Sequence, residues 1–141
     1  MPVLTDILRG KTGPQKRLTS AIWRARLRAM PASDDPLVIF AIPLISRARS
    51  NDWDQVCANL AATLDSLRAQ TAPGWRAFVC GQDRPEAVRF EPGRVDFVSF
   101  RGRTKFYDKG DKRLALIDAA LSACRGRDGY YAQWDADDLL H

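Results

Sequence analysis

Histidine is all but missing from this chain: of 141 residues only His141, the last, carries an imidazole. That shortage argues against a Ser-His-Asp type triad and against a histidine-built zinc site, since each needs an imidazole held inside the fold. Cysteine is scarce and odd in number. Cys57, Cys80 and Cys124 lie far apart, each within an apolar run, so they read as buried thiols of a cytoplasmic protein and not as a disulfide framework. Long hydrophobic runs are lacking as well. A membrane-spanning helix needs about 20 consecutive apolar residues. Nothing in the sequence approaches that, and Arg or Lys interrupts every early apolar run, which argues against a secretory signal. Two glycine-rich phosphate-binding patterns are absent too: there is no G-x-x-x-x-G-K-[ST] and no G-x-G-x-x-G after the first strand-like run. Neither a P-loop nucleotidase nor a dinucleotide-binding Rossmann domain is supported.

What is present is a globular composition, 45% apolar and 28% charged, at a length that suits one domain with one core. The net charge of +5 is uneven. Residues 1–30 carry seven basic side chains (Arg9, Lys11, Lys16, Arg17, Arg24, Arg26 and Arg28) against one acid, Asp6, while the remainder is close to neutral. The basic character therefore belongs to an N-terminal arm, residues 1–36, ahead of a domain at 37–141. After the Gly13-Pro14 break, the spacing predicts a helix over 15–30, with Leu18, Ile22, Ala25 and Ala29 on one stripe and Trp23, Leu27 and Met30 on another. Its arginines are scattered around the helix instead of forming one face. The favoured reading is a peripheral helix with its cations in water; a weak contact with an anionic membrane surface stays open, and nucleic acid is the less favoured partner. Pro31-Ala32-Ser33-Asp34-Asp35-Pro36 follows as a linker.

From Leu37 the pattern alternates strand and helix. Leu37-Val38-Ile39-Phe40-Ala41-Ile42 is a continuous apolar run closed by Pro43, which predicts a central parallel strand buried on both faces. A helix is expected over 51–70, with Asn51 as N-cap, Trp53, Val56, Cys57, Leu60, Ala61, Leu64 and Leu67 recurring at three- and four-residue steps, and Thr71-Ala72-Pro73-Gly74 ending it. Strands are expected at 75–80 and 95–100. The basic loop Arg101-Gly102-Arg103-Thr104-Lys105 then leads to a second helix at 109–124, with Leu114, Ile117, Ala120, Leu121 and Cys124 as its apolar stripe. A last strand runs over 130–134. This β-α-β-β-α-β order with short connections implies a three-layer α/β/α fold around a mostly parallel sheet. The first strand is expected to lie between those at 75–80 and 130–134.

That last strand breaks into three carboxylates within four positions, Asp135, Asp137 and Asp138. Acids packed this closely repel one another, and a hard divalent cation neutralises them while leaving sites for substrate phosphates. Asp135-Ala136-Asp137 thus reads as half of a metal and diphosphate site at the sheet edge where α/β folds bind ligands. The bland alternative is an acidic turn or a cap on a helix beginning at Leu139.

Three stretches in order give this chain a family likeness. Ile39-Phe40-Ala41-Ile42-Pro43 resembles an opening strand with its Ile-Pro, and Leu67-Arg68-Ala69-Gln70-Thr71-Ala72-Pro73-Gly74-Trp75 resembles a helix end with a Gln-Thr-x-Pro-x-Trp turn. Trp134-Asp135-Ala136-Asp137-Asp138-Leu139-Leu140 resembles an Asp-Ala-Asp-Asp metal motif. From about Leu37 onward the sequence is similar to the N-terminal, nucleotide-sugar half of a GT-A glycosyltransferase of family 2.

The resemblance implies that Pro43, Ser46 and Arg47 border the nucleobase and ribose. Asp135 would face the ribose and metal, and Asp137 would ligate Mn2+ or Mg2+ bridging the diphosphate of a nucleoside-diphosphate sugar. Where the family commonly has Asp-Asp-Gly-Ser, this chain has Cys80-Gly81-Gln82-Asp83, which leaves Asp83 to read the base. Lys109 and Arg113 are candidates for charge near the phosphates, with a solvated helix turn as the competing reading. The chain ends directly after the metal motif. The expectation is a donor-binding half, truncated there, without the acceptor half or a general base, so that the acceptor (saccharide, lipid or protein) and the base carry no residue in this sequence. A cytoplasmic location is expected, with a peripheral position at the inner membrane face left open. A second class stays open: a truncated non-catalytic binding module whose basic arm contacts membrane, nucleic acid or a protein partner.

Overall fold

The computed structural model describes residues 21, 22, 24–26, 28, 29, 33–102 and 108–141. These divide into two units, one ending at Asp34 and the other comprising Asp35–His141. In the first, positions 21, 22, 24–26, 28 and 29 are helical and exposed. The rest of the expected arm helix, residues 15–20 with Trp23, Leu27 and Met30, lies outside the described residues, as does the segment 103–107 that includes most of the expected basic loop.

The second unit runs β1 (Leu37–Pro43), a 3-10 turn (Arg47–Arg49), α1 (Trp53–Arg68), β2 (Trp75–Gly81), β3 (Val95–Ser99), α2 (Lys109–Cys124) and β4 (Gly129–Gln133). Among the described residues the sheet has four strands in the order β3-β2-β1-β4, all parallel. β1 is central, between β2 and β4, as its unbroken apolar run requires. One face of β1 sends Phe40 and Ile42 into a core with Leu60, Leu64 and Leu67 of α1 and Trp75 and Val79 of β2. The other sends Leu37, Ile39 and Ala41 against Leu116 and Ala120 of α2. One helix therefore covers each face, giving α/β/α layers. β4 begins at Gly129, one residue earlier than expected, and there a Cβ would collide with Cys124 Sγ at the end of α2. A larger residue there would force the Cys124 side chain to move.

Two expectations are corrected. The N-cap of α1 is Asp52, not Asn51: its extended backbone lets the carboxylate accept the Gln55 amide at 3.0 Å, the third helical N–H, which Asn51 is one residue too far back to serve. Of the expected stripe on α2, Ala120 and Cys124 do pack against the sheet, but its large members do not. Leu114, Ile117 and Leu121 are exposed, Leu121 by 68%, whereas Lys112, Leu116 and Ala120 are buried with Ala115, Ala119 and Ala123 beside them. Both stripes have helical spacing, so periodicity alone does not choose between them. The alanines allow close approach to the sheet, and the Lys112 ammonium finds polar partners only on that side. Among the described residues, no helix is long and apolar enough to cross a membrane.

This orientation of the helices predicts unequal costs for equal truncations. Leu64→Ala, at a site with 0% exposure, should cost about 2–5 kcal/mol in urea denaturation. Leu121→Ala should stay within about 0.5 kcal/mol of the parent. Comparable losses at the two positions would contradict the observed face of α2.

Candidate functional site

Because all four strands are parallel, the loops leaving β1, β2 and β4 emerge at one edge of the sheet, the usual ligand edge of such folds. The chain leaving β1 is anchored at once: the Leu44 amide donates to the Cys80 carbonyl at 2.8 Å. Ser46 follows, buried, with an Oγ that finds no hydrogen-bond partner among the described residues. Arg47 opens the 3-10 turn, and its amide donates to Asp83 Oδ2 at 2.8 Å. Two residues singled out from distant parts of the sequence thus meet. They line a cleft of about 770 Å3 whose other walls include Trp53, Asp54 and Cys57 of α1 and Gln82. Pro43 and Ser46 are not among the described residues that line it.

The cleft offers recognition chemistry more than reactive chemistry. One Asp83 oxygen is engaged by the Arg47 amide, the side chain of Arg47 brings positive charge, and Trp53 supplies an aromatic surface. Cys57 is a poor nucleophile here, because burial raises its thiol pKa, with Asp54 adding to the rise and Arg47 opposing it. All three cysteines are free, Cys57 and Cys80 buried and Cys124 only half-buried.

The acids after β4 sit on a turn that is well tied down. Trp134 Nε1 donates to the Asp138 carbonyl at 3.1 Å, and the Asp138 amide donates to the Asp135 carbonyl at 3.2 Å. Thr63 Oγ1 donates to the Ala136 carbonyl at 2.9 Å, and the Leu140 amide donates to Ser66 Oγ at 3.0 Å, so α1 holds the turn from one side. The three carboxylates have different employment. Asp138 Oδ2 accepts the Asp135 amide at 3.3 Å and serves the turn itself, although no helix follows at Leu139. Asp135 Oδ1 takes the Lys109 ammonium at 2.7 Å, both groups about half exposed. Asp137 is exposed and makes no hydrogen bond or ion pair among the described residues.

No group of three or more His, Cys, Asp or Glu side chains able to hold a metal occurs among the described residues. Mg2+ and Mn2+ ordinarily take one or two carboxylates and complete their shells with water and substrate phosphates; here Asp137 is unengaged among the described residues and Asp135 is paired with Lys109. Of the two expected cations on α2, Lys109 reaches the acids. Arg113 instead lies by Tyr131 of β4, where burial raises the phenol pKa and the guanidinium opposes the rise.

Three residues that sequence reasoning passed over connect these parts. Lys112, 1% exposed, places Nζ 2.7 Å from the Leu44 carbonyl and 3.0 Å from Asp108 Oδ2, and Asp108 also accepts from Gln82 Nε2. Gln82 lines the cleft. The cleft is thus tied through Gln82 to Asp108 at the start of α2, and the next residue along the chain, Lys109, reaches the acids. In the sequence Asp108 and Lys112 are an ordinary i, i+4 pair of the kind found on solvated helix surfaces, and nothing there marks them as buried. Their charges are felt by Cys80: burial pushes its thiol up to about 11, with Lys112 opposing and Asp108 adding.

No family model, curated protein or solved structure matches this chain.

Asp108 makes a prediction about acid. Burial alone would raise its carboxyl, but the hydrogen bonds from Gln82 and Lys112 outweigh that and hold it below its ordinary 3.8. A carboxyl depressed in the folded state stabilises fully above its unfolded value and loses that contribution as pH falls through the folded one. The melting temperature should therefore fall more steeply below pH 3.8 in the parent than in Asp108→Asn. Parallel acid limbs in the two proteins would show that Asp108 carries no such linkage.

Proposed function

We propose that this chain binds a nucleoside-diphosphate sugar and is the donor-binding half of a GT-A type glycosyltransferase similar to family 2. The observation that carries the reading is the joining of the Arg47–Asp83 cleft, through Gln82 and Asp108, to the Lys109–Asp135 pair at the strand ends of a parallel sheet. A nucleotide needs two adjoining environments, one for the base and ribose and one for the diphosphate, and the two ends of this path differ in that way.

In this reading the Asp83 oxygen left free by Arg47 accepts an N–H of the base, and Trp53 supplies the apolar wall. Asp135 faces the ribose and Lys109 turns from Asp135 toward the diphosphate, exchanging one anionic partner for another. Their exposed ion pair holds weakly, so that exchange costs little. Asp137, with Asp135, holds Mn2+ or Mg2+. When bound, the cation neutralises the departing nucleoside diphosphate and acts as a Lewis acid. The sugar passes to a hydroxyl of a saccharide, lipid or protein acceptor, and no residue of this chain is assigned as the base. A cytoplasmic location at the inner membrane face suits the free thiols and the arginine-rich arm.

Calorimetric titration with a panel of nucleoside diphosphates, with and without Mn2+, tests the proposal. Coupled binding of two ligands is typically worth about 5- to 150-fold in affinity. At least one nucleotide should bind more tightly by that order when Mn2+ is present. Asp137→Asn keeps the shape and removes a charge, so it should abolish the Mn2+-dependent gain while leaving the melting temperature close to that of the parent. Undiminished Mn2+ dependence in that variant would return the acids to the role of turn residues.

A further inference from the structure

We infer that Lys112, with Asp108 and Gln82, is a positioning device that sets the spacing between the two walls of the cleft. This deepens the reading of that cleft as the nucleotide site and rests on it.

A lysine ammonium taken out of water loses more than an ion pair ordinarily returns, and apolar side chains of similar volume commonly serve a purely structural position as well or better. The surroundings would accept such a side chain: Leu116 and Ala120 share the buried face of α2, and the Phe100 ring lies 5.7 Å from Lys112 Nζ. Lys112 is too buried to meet a ligand itself, at 1% exposure. Its value must lie in what it holds.

It holds three segments at one point. The Leu44 carbonyl belongs to the chain leaving β1, three residues before Arg47. Asp108 opens α2, and Gln82 belongs to the chain leaving β2, next to Asp83. The network thus grips each wall of the cleft within three residues of the Arg47–Asp83 hydrogen bond. Among the hydrogen bonds that join the two loops near the cleft are that exposed bond and the Leu44–Cys80 backbone contact, and neither ties them to α2. The same grip fixes Asp108 and so the start of the helix that carries Lys109 toward Asp135. The base-reading end and the acid end would be set by one buried cation.

The test uses the double variant Lys112→Met/Asp108→Leu, which replaces the buried pair by apolar groups and leaves no charge stranded. It should keep the circular dichroism spectrum and urea midpoint of the parent. Amide hydrogen exchange at Arg47, whose N–H is held by Asp83, should accelerate by about tenfold or more while amides of β1 and β2 stay protected. Affinity for uridine diphosphate or guanosine diphosphate in Mn2+, whichever the parent binds, should fall by about tenfold, the scale seen when outer partners of a ligand-binding group are removed. Gln82→Met, which removes no charge, should loosen Arg47 in the same direction and decides the matter if the double variant does not fold. Unchanged exchange at Arg47 in a folded variant overturns the inference. A parent that binds no nucleotide defeats the nucleotide reading alone, because the exchange result still stands or falls without a ligand.

Discussion

A strand with no polar face cannot lie against water, and β1, with Ile39, Ala41 and Ile42 each at 1% exposure or less, has to be covered above and below. Its backbone also has to be paired on both edges. Those two demands bring α1 to one face, α2 to the other, and β2 and β4 to either side. Because the partners are parallel to β1, their exits collect at one edge. The location of the candidate site is thus a consequence of burying a seven-residue strand on both faces, before any side chain at the edge is considered.

At that edge the physics changes from apolar packing to pairing of charge. The interior offers Lys112 and Asp108 little water, so each relies on the other and on the Leu44 carbonyl and Gln82 amide around them. Toward solvent the same helix end presents Lys109 to Asp135, where water screens the pair and leaves it exchangeable. A rigid inner pair beside a labile outer one suits a site that must keep its shape while its charged groups change partners. Asp137 stays outside both pairs.

How much of this was legible in the sequence depended on whether a feature had a period. β1 and α1 were readable because an unbroken apolar run and a three-four spacing each have few alternatives, and the N-cap of α1 was missed by one residue because Asn51 and Asp52 are both good caps. The face of α2 was misread because Leu114, Ile117 and Leu121 outweigh alanines on any hydropathy count, while the true buried face is chosen by a lysine with partners far away in the chain. At the site, the sequence marks Arg47, Asp83, Lys109 and Asp135, and the structure brings them together in two pairs. Pro43 and Ser46 flank the cleft without lining it, and Arg113 lies by Tyr131. Lys112, Asp108 and Gln82 could not be found, since buried polar contacts between distant segments leave no periodic trace.

The central claim, that a nucleoside diphosphate lies along the path from Asp83 to Asp135, is tested most directly by mapping amide chemical shifts of isotope-labelled protein during titration with a panel of nucleoside diphosphates, followed by Mn2+. The account predicts that a binding nucleotide moves the amides of Arg47, Gln82, Asp83 and Lys109, and that Mn2+ then broadens those of Asp135 and Asp137 before any others. Shifts confined to the outer face of α2, or none with any nucleotide, would contradict it.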